Sequence, residues 1–376
     1  MTVLDVDATL RSARVLVCCG SGGVGKTTTA AALALRAAEL GRDAVVLTID
    51  PARRLAQSLG LSELDNTPRR VEGVAGSGSL DAMMLDMKRT FDQLVVEHAD
   101  PAKAEAILAN PFYQALSSSF AGTQEYMAME KLSQLVDTGR YDLVVVDTPP
   151  TRSALDFLDA PQRLTTFLDG RMVRVLLAPA KAGGRAYVKV MSAGLGVFTS
   201  VLTRIIGTEV LRDLSQFVAA LETMFGGFRE RAQQTYELLK RPGTEFVVVA
   251  APERDALREA AYFVERLATE RMPLAGLVLN RVHRSAAPRL SAERSLAAAQ
   301  TLEERGEGEL AASVLRLHAD RVALCAREAR LRQRFSRAHP GVPVVEVAAQ
   351  AGDVHDLSGL RAVGEDLASD RAAVPA

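Results

Sequence analysis

Cysteine is scarce in this chain of 376 residues: Cys18 and Cys19 are adjacent and Cys325 is distant. Such spacing offers no disulfide framework and no C-x-x-C metal pair, and it fits a reducing, cytosolic setting. A charge excess is also missing. The formal net charge is −1, so no global basic field argues for nucleic-acid binding. Met1 to Arg14 carries acidic groups and no apolar signal core, which argues against export. The longest apolar stretch, 190–203, is bounded by Lys189 and Arg204. As a helix it would reach ~21 Å, short of the ~30 Å of a bilayer core. The five histidines form no H-x-x-x-H pair and read as solvated or core groups. Internal repeats are absent. What remains is a soluble chain long enough for one large α/β domain or two smaller ones.

Within it, Val15-Leu16-Val17-Cys18-Cys19 reads as a buried strand, and the next residues fit G-x-x-x-x-G-K-[ST]. These are Gly20, Ser21, Gly22, Gly23, Val24, Gly25, Lys26 and Thr27, followed by Thr28. Glycines let backbone N–H groups turn inward around phosphate oxygens. Lys26 neutralises the outer phosphates in such a loop, and the Thr27 hydroxyl holds magnesium. A helix beginning near Lys26 would aim its positive dipole end at the same place. The Ala-rich run Ala30 to Leu40, stopping at Gly41, supplies that helix.

Short β-rich runs alternate with helical stretches, which predicts a doubly wound, mostly parallel sheet. The predicted strands are 15–19, 44–49, 80–85, 143–146, 246–250, 277–279 and 342–347. In such sheets ligands sit beyond the carboxyl ends of the strands. The phosphate loop, Asp50, Asp147, Glu253 and Asn280 all follow strand ends. Two long segments are helical in character, giving a nucleotide-binding core of 1–88, 140–152 and 244–376. Helical insertions at 89–139 and 153–243 interrupt it. A helical hairpin is expected over 289–334, broken at the charged turn 303–308. Met83, Met84 and Met87 are assigned to sheet core. Leu195 to Phe228, apolar and glycine-bearing, is the candidate surface for a hydrophobic client, though burial explains it equally well.

Asp147 ends the apolar run 141–146, the arrangement in which a carboxylate holds magnesium, usually through a water. Thr148-Pro149-Pro150-Thr151 then makes a stiff loop suited to reporting the γ-phosphate. Asp50 precedes Pro51. A carboxylate there either acts on the attacking water or caps a helix that begins at the proline. Position alone does not choose. A dinucleotide-binding dehydrogenase is excluded, because Lys26-Thr27 closes the glycine loop and no acid follows in a G-x-G-x-x-G frame.

Gly22 to Thr28, Asp50-Pro51-Ala52, Asp147 to Thr151, Pro252-Glu253 and Leu279-Asn280 together resemble the arsenite-pump and tail-anchored-protein-targeting ATPases. These are deviant Walker-A dimeric ATPases, and the likeness runs in order over nearly the whole chain. It is strongest to single-domain, actinobacterial-type anion-transporting ATPases. The resemblance implies ATP and Mg2+ as ligands, Asp50 as the residue acting on the hydrolytic water, and Asp147 opening the second switch. Glu253 and Asn280 would touch the nucleotide, Asn280 at the adenine edge, with the segment after Val347 lining the base's other side. It also implies a homodimer, or a heterodimer with a related ATPase subunit, that is cytoplasmic and recruited to a membrane by a partner.

Two departures stand out. The lysine that the family places at the second loop position, reaching the partner's phosphates, is Ser21 here. Arg53, Arg54 and Arg152 are the candidate replacements, each otherwise a solvated surface group. A hydrolysis-poor scaffold paired with a lysine-bearing paralogue is therefore the alternative function. The family's zinc-bridging C-x-x-C after the Asn280 strand is also missing, so no zinc is expected, and Cys325 reads as a half-buried helix residue. Arsenite binding by Cys18 and Cys19 is not expected, since both belong to a sheet strand.

Overall fold

The computed structural model describes residues 2–50, 54–111, 113–114, 123–149, 230–231 and 233–369. The chain divides into two compact units: Met1–Met84, Leu135–Ala154 and Leu239–Ala376 form one, Leu85–Gln134 and Leu155–Leu238 the other.

The first unit is built on an eight-stranded sheet in the order β3-β4-β2-β5-β1-β6-β7-β8. The strands are β1 (Val15–Gly20), β2 (Asp43–Thr48), β3 (Arg69–Arg70), β4 (Ser79–Met84), β5 (Leu143–Asp147), β6 (Thr244–Ala250), β7 (Leu274–Val282) and β8 (Val344–Ala348). Every pairing is parallel except β3 with β4. All six residues of β1 and all five of β5 are buried. Continuous Val/Leu/Cys runs buried on both faces are what a parallel sheet requires, and they carry no alternation.

All seven predicted strands form, with ends displaced by one to three residues. β3 has no apolar signature and escapes sequence reading. It is held by its pairing and by Arg70 Nε at 3.0 Å from the buried carboxylate of Asp81, which also accepts from Arg140 Nη2 (2.8 Å) and the Tyr141 hydroxyl (2.7 Å). Met83 is sheet core, whereas Met87 lies beyond β4 and opens a helix, so its assignment to the strand is corrected. A proper N-cap explains this: the Asp86 carboxylate accepts from Arg89 N at 2.9 Å.

Helices α1 (Val6–Ser12), α2 (Lys26–Glu39) and α3 (Arg54–Ser58) belong to this unit. Ten of the 14 residues of α2 are buried. Its alanines let it pack between the sheet and the terminal helix α10 (Leu357–Ala368), where Gly364 lies 3.7 Å or more from Ala32 and Arg36 even with a Cβ added. Helix α7 (Arg254–Glu270) follows β6. The hairpin helices α8 (Ala292–Glu304) and α9 (Glu309–Ala338) pack on one another, with the break where charge and glycine placed it.

In the second unit, α4 (Met87–His98), α5 (Pro101–Leu108) and most of α6 (Thr123–Asp137) are helical. Tyr113 is its largest fully buried side chain among the described residues; its ring is tilted against Phe91 at 5.4 Å and its hydroxyl donates to Asp92 at 2.5 Å. Arg231 Nε donates to the buried Glu130 at 3.1 Å. Met127 and Met129 are buried. The candidate client surface, Leu195–Phe228, lies outside the described residues.

Candidate nucleotide-binding site

The carboxyl ends of β1, β2, β5 and β7 converge on an open cleft of about 920 Å³. Gly20 closes β1 with φ at +146°, and a Cβ there would stand 2.1 Å from the Val249 carbonyl oxygen of β6. Only glycine fits this close approach. The chain then turns through Gly22 and Gly23 to Gly25, which caps α2 in the left-handed region at φ +93°. The first turn of α2 therefore points its unpaired N–H groups at the cleft. Lys26, its first residue, is only 6% exposed, and its Nζ donates to the Ser21 carbonyl at 2.8 Å. Burial lowers its pKa, opposed by the nearby carboxylates of Asp147 and Asp50.

Asp147 is fully buried at the end of β5. Burial pushes its pKa up to about 6, against the pull of the nearby Thr27 and Thr48 hydroxyls and the charge of Lys26. Thr48 Oγ1 donates to Asp147 Oδ2 at 2.8 Å, while Asp147 Oδ1 is buried with no hydrogen-bond partner. A buried, unpaired carboxylate oxygen is costly unless something else satisfies it. With the Thr27 hydroxyl beside it the ligand set is all oxygen, which suits a hard divalent cation such as Mg2+. The residues present thus fit a magnesium nucleotide.

Asp50 lines the cleft two residues after β2, and its N–H donates to Thr48 Oγ1 at 3.2 Å. Pro51, Ala52 and Arg53 lie outside the described residues, so whether Asp50 caps a helix at Pro51 is not described. Arg54, the first residue of α3, lines the cleft and is exposed. Thr148 Oγ1 donates to the Cys18 carbonyl at 2.8 Å, fastening the end of β5 to β1.

On the far wall Asn280 is buried and donates Nδ2 to the Val24 carbonyl at 2.8 Å; its Oδ1 accepts from Arg281 N at 2.9 Å. The adenine-edge residue expected from sequence therefore also braces the phosphate loop, leaving one amide hydrogen and one lone pair for a base. A register shift between Leu279 and Val282 places this pair on a bulge, with Arg281 at φ +62°. A bulge re-aims side chains, and a non-glycine residue in the left-handed region is a frequent companion of functional sites. Gln350, Asp353 and His355 complete that wall, where the segment after Val347 was expected.

Glu253 is the exposed N-cap residue of α7 and does not line the cleft. Ser21 is half-buried, and its hydroxyl oxygen has no hydrogen-bond partner. Arg152 lies outside the described residues. Cys18 and Cys19 are buried in β1 with thiol pKa values pushed up by burial, Cys19 to about 12, and Cys325 is half-buried on α9. Among the described residues no group of His, Cys, Asp and Glu could hold a metal ion by itself. Arg281 and Thr48 were not singled out from sequence. The only sequence signal for them was their position next to strand ends.

A parallel sheet whose central strand delivers a glycine loop, a lysine and a helix N-terminus beneath a buried acid defines a P-loop ATPase. More particularly, a family model for anion-transporting ATPases matches residues 13–330, and the chain belongs to that family. Among similar proteins, ATPase GET3 of Podospora anserina is 26% identical over 273 residues, covering 72% of this chain and 74% of that protein. ATPase ASNA1 homolog 1 of Paramecium tetraurelia is 26% identical, covering 70% and 73%. ATPase GET3 of Malassezia globosa is 32% identical, but the match covers only 41% of this chain and 44% of that protein. No helix among the described residues is long and apolar enough to cross a membrane.

Proposed function

We propose that the chain hydrolyses ATP in this cleft and that the nucleotide cycle of a dimer governs binding and release of a hydrophobic client or a membrane partner. The observation that carries the ATP reading is the unpaired buried Oδ1 of Asp147 beside Thr27, with Lys26 at the foot of α2. Loop N–H groups from Gly22 to Thr28 and the Lys26 ammonium would bind the phosphates. Thr27 and Asp147 would hold Mg2+, which when bound neutralises phosphate charge. Asp50 would orient and accept the proton of the attacking water. Asn280 would present its remaining amide groups to the base, and Glu253 would contact the nucleotide only by moving from its cap position. The likeness to proteins named GET3 and ASNA1 supports tail-anchored membrane proteins as the class of client. Calorimetry tests the core of this reading. Adenine-nucleotide uptake should depend on Mg2+ and vanish in Lys26→Ala, and uptake unchanged in that variant refutes it.

Ser21 favours a second reading. A serine has neither the charge nor the reach to touch a partner's phosphates. A cation supplied in trans to phosphoryl transfer is worth roughly 10³–10⁵ in kcat. A pure homodimer would then turn over slowly, and a lysine-bearing paralogue would restore the rate. Fast hydrolysis by the isolated chain excludes this scaffold reading and leaves Arg53, Arg54 or Arg152 as the replacement.

A further inference from the structure

The hydroxyl of Thr48 stands between the two acids of the site, and this inference rests on the ATPase reading above. Thr48 is buried, the last residue of β2, and neither the phosphate loop nor the second switch contains it. Its Oγ1 has one proton and two lone pairs. The proton goes to Asp147 Oδ2 at 2.8 Å, and a lone pair takes the Asp50 N–H at 3.2 Å. A hydroxyl that donates to a carboxylate becomes a better acceptor, so the two bonds strengthen together. Next to this path runs a backbone link that needs no side chain: Ile49 N donates to the Asp147 carbonyl at 3.1 Å. The β-branched side chain has few χ1 choices, which holds the hydroxyl in place.

We propose that Thr48 is a positioning residue that couples the metal-binding carboxylate of Asp147 to the backbone of Asp50. Engagement of the free oxygen of Asp147 is thereby felt at the acid that acts on water. A valine of the same shape keeps the packing and breaks the path; a serine keeps the path.

Amide exchange at Ile49 and Asp50 tests this in the full chain, with ADP alone and with ADP plus Mg2+. In the natural protein and in Thr48→Ser, Mg2+ should change Asp50 exchange by about threefold to tenfold, the ratio set by one hydrogen bond of ordinary net strength. In Thr48→Val and Thr48→Ala that response should disappear, while Ile49 exchange stays as it was. ATP hydrolysis by the Val and Ala variants should lose kcat with little change in KM, and Ser should restore it. A Mg2+ response at Asp50 that survives in Val and Ala overturns the role of Thr48 and leaves the ATPase reading intact. So does its loss in Ser. If Mg2+ alters neither nucleotide affinity nor Asp50 exchange in the natural protein, both readings fall together. Equal acceleration of Ile49 and Asp50 in both Val and Ala shows loosened packing and refutes a specific path.

Discussion

Replacing Gly25 by alanine exposes how the phosphate loop and the far wall of the cleft depend on one another. The new Cβ would sit 2.2 Å from Asn280 Nδ2, and the backbone there is at φ +93°. An alanine in the left-handed region costs about 1–2 kcal/mol. The buried amide must also leave the Val24 carbonyl, and an orphaned buried partner adds about 1–3 kcal/mol. Gly25→Ala alone should therefore destabilise the first unit by about 2–5 kcal/mol. In an Asn280→Ala background the clash and the hydrogen bond are already gone, so only backbone strain remains. The pair should couple by about 1–3 kcal/mol, within the range for residues in contact. With two units, whole-chain melting is not a two-state measurement. Exchange of the slowest β1 and β6 amides in all four proteins reports the sheet itself, at about 1.4 kcal/mol per tenfold change in opening. Strict additivity would refute the argument, since it would mean that the Cβ and the amide never compete for the same space.

Three further outcomes follow from the same geometry. Asp147 has a folded pKa of about 6 against an ordinary value of 3.8, so between those pH values the folded protein binds the extra proton. Stability of the nucleotide-free chain should fall as pH rises through that window, by about 3 kcal/mol in all, and level off above it. Asp147→Asn should remove this slope in pH-dependent unfolding, raise stability at pH 7.5 and abolish the Mg2+ requirement for nucleotide binding. Asp81→Ala, leaving Tyr141 and two arginines without their shared carboxylate, should cost about 2–3 kcal/mol in exchange of the slowest β4 and β5 amides, with Asp81→Asn losing less. Arg281→Gly relieves a left-handed backbone and should stabilise the first unit by up to about 1 kcal/mol in exchange of the slowest β7 amides while weakening ATP binding in calorimetry.

The buried strands were legible in sequence because a parallel sheet writes itself as uninterrupted Val, Leu and Ile runs. The glycine loop was legible because close approach leaves no substitute for Gly20 or Gly25. Strand ends were harder to read, since Asp147 continues a ladder that hydropathy has already stopped scoring, while Ile49 still scores past the end of β2. β3 could not be read at all: an arginine pair becomes a strand only when Asp81 draws it in. Asn280 was expected at the base and found with one hand on the phosphate loop, a contact across 256 positions that no local pattern encodes. Arg281 was missed for the same kind of reason. Its backbone sign is set by the bulge between β7 and β8, not by its own preference.

The seating of β1 between β5 and β6 also governs when the protein can become itself. The strand that carries the phosphate loop leaves the ribosome before both of its hydrogen-bonded neighbours, which begin at residues 143 and 244. Until Ala250 has been synthesised, one flank of β1 stays open as a bare edge, and Gly20 has no β6 carbonyl to nestle against. Non-local pairing of this kind folds slowly and leaves adhesive strands uncovered meanwhile. A nascent chain halted inside the long stretch between β5 and β6 would present that edge to whatever lies nearby, long before it could grip a nucleotide.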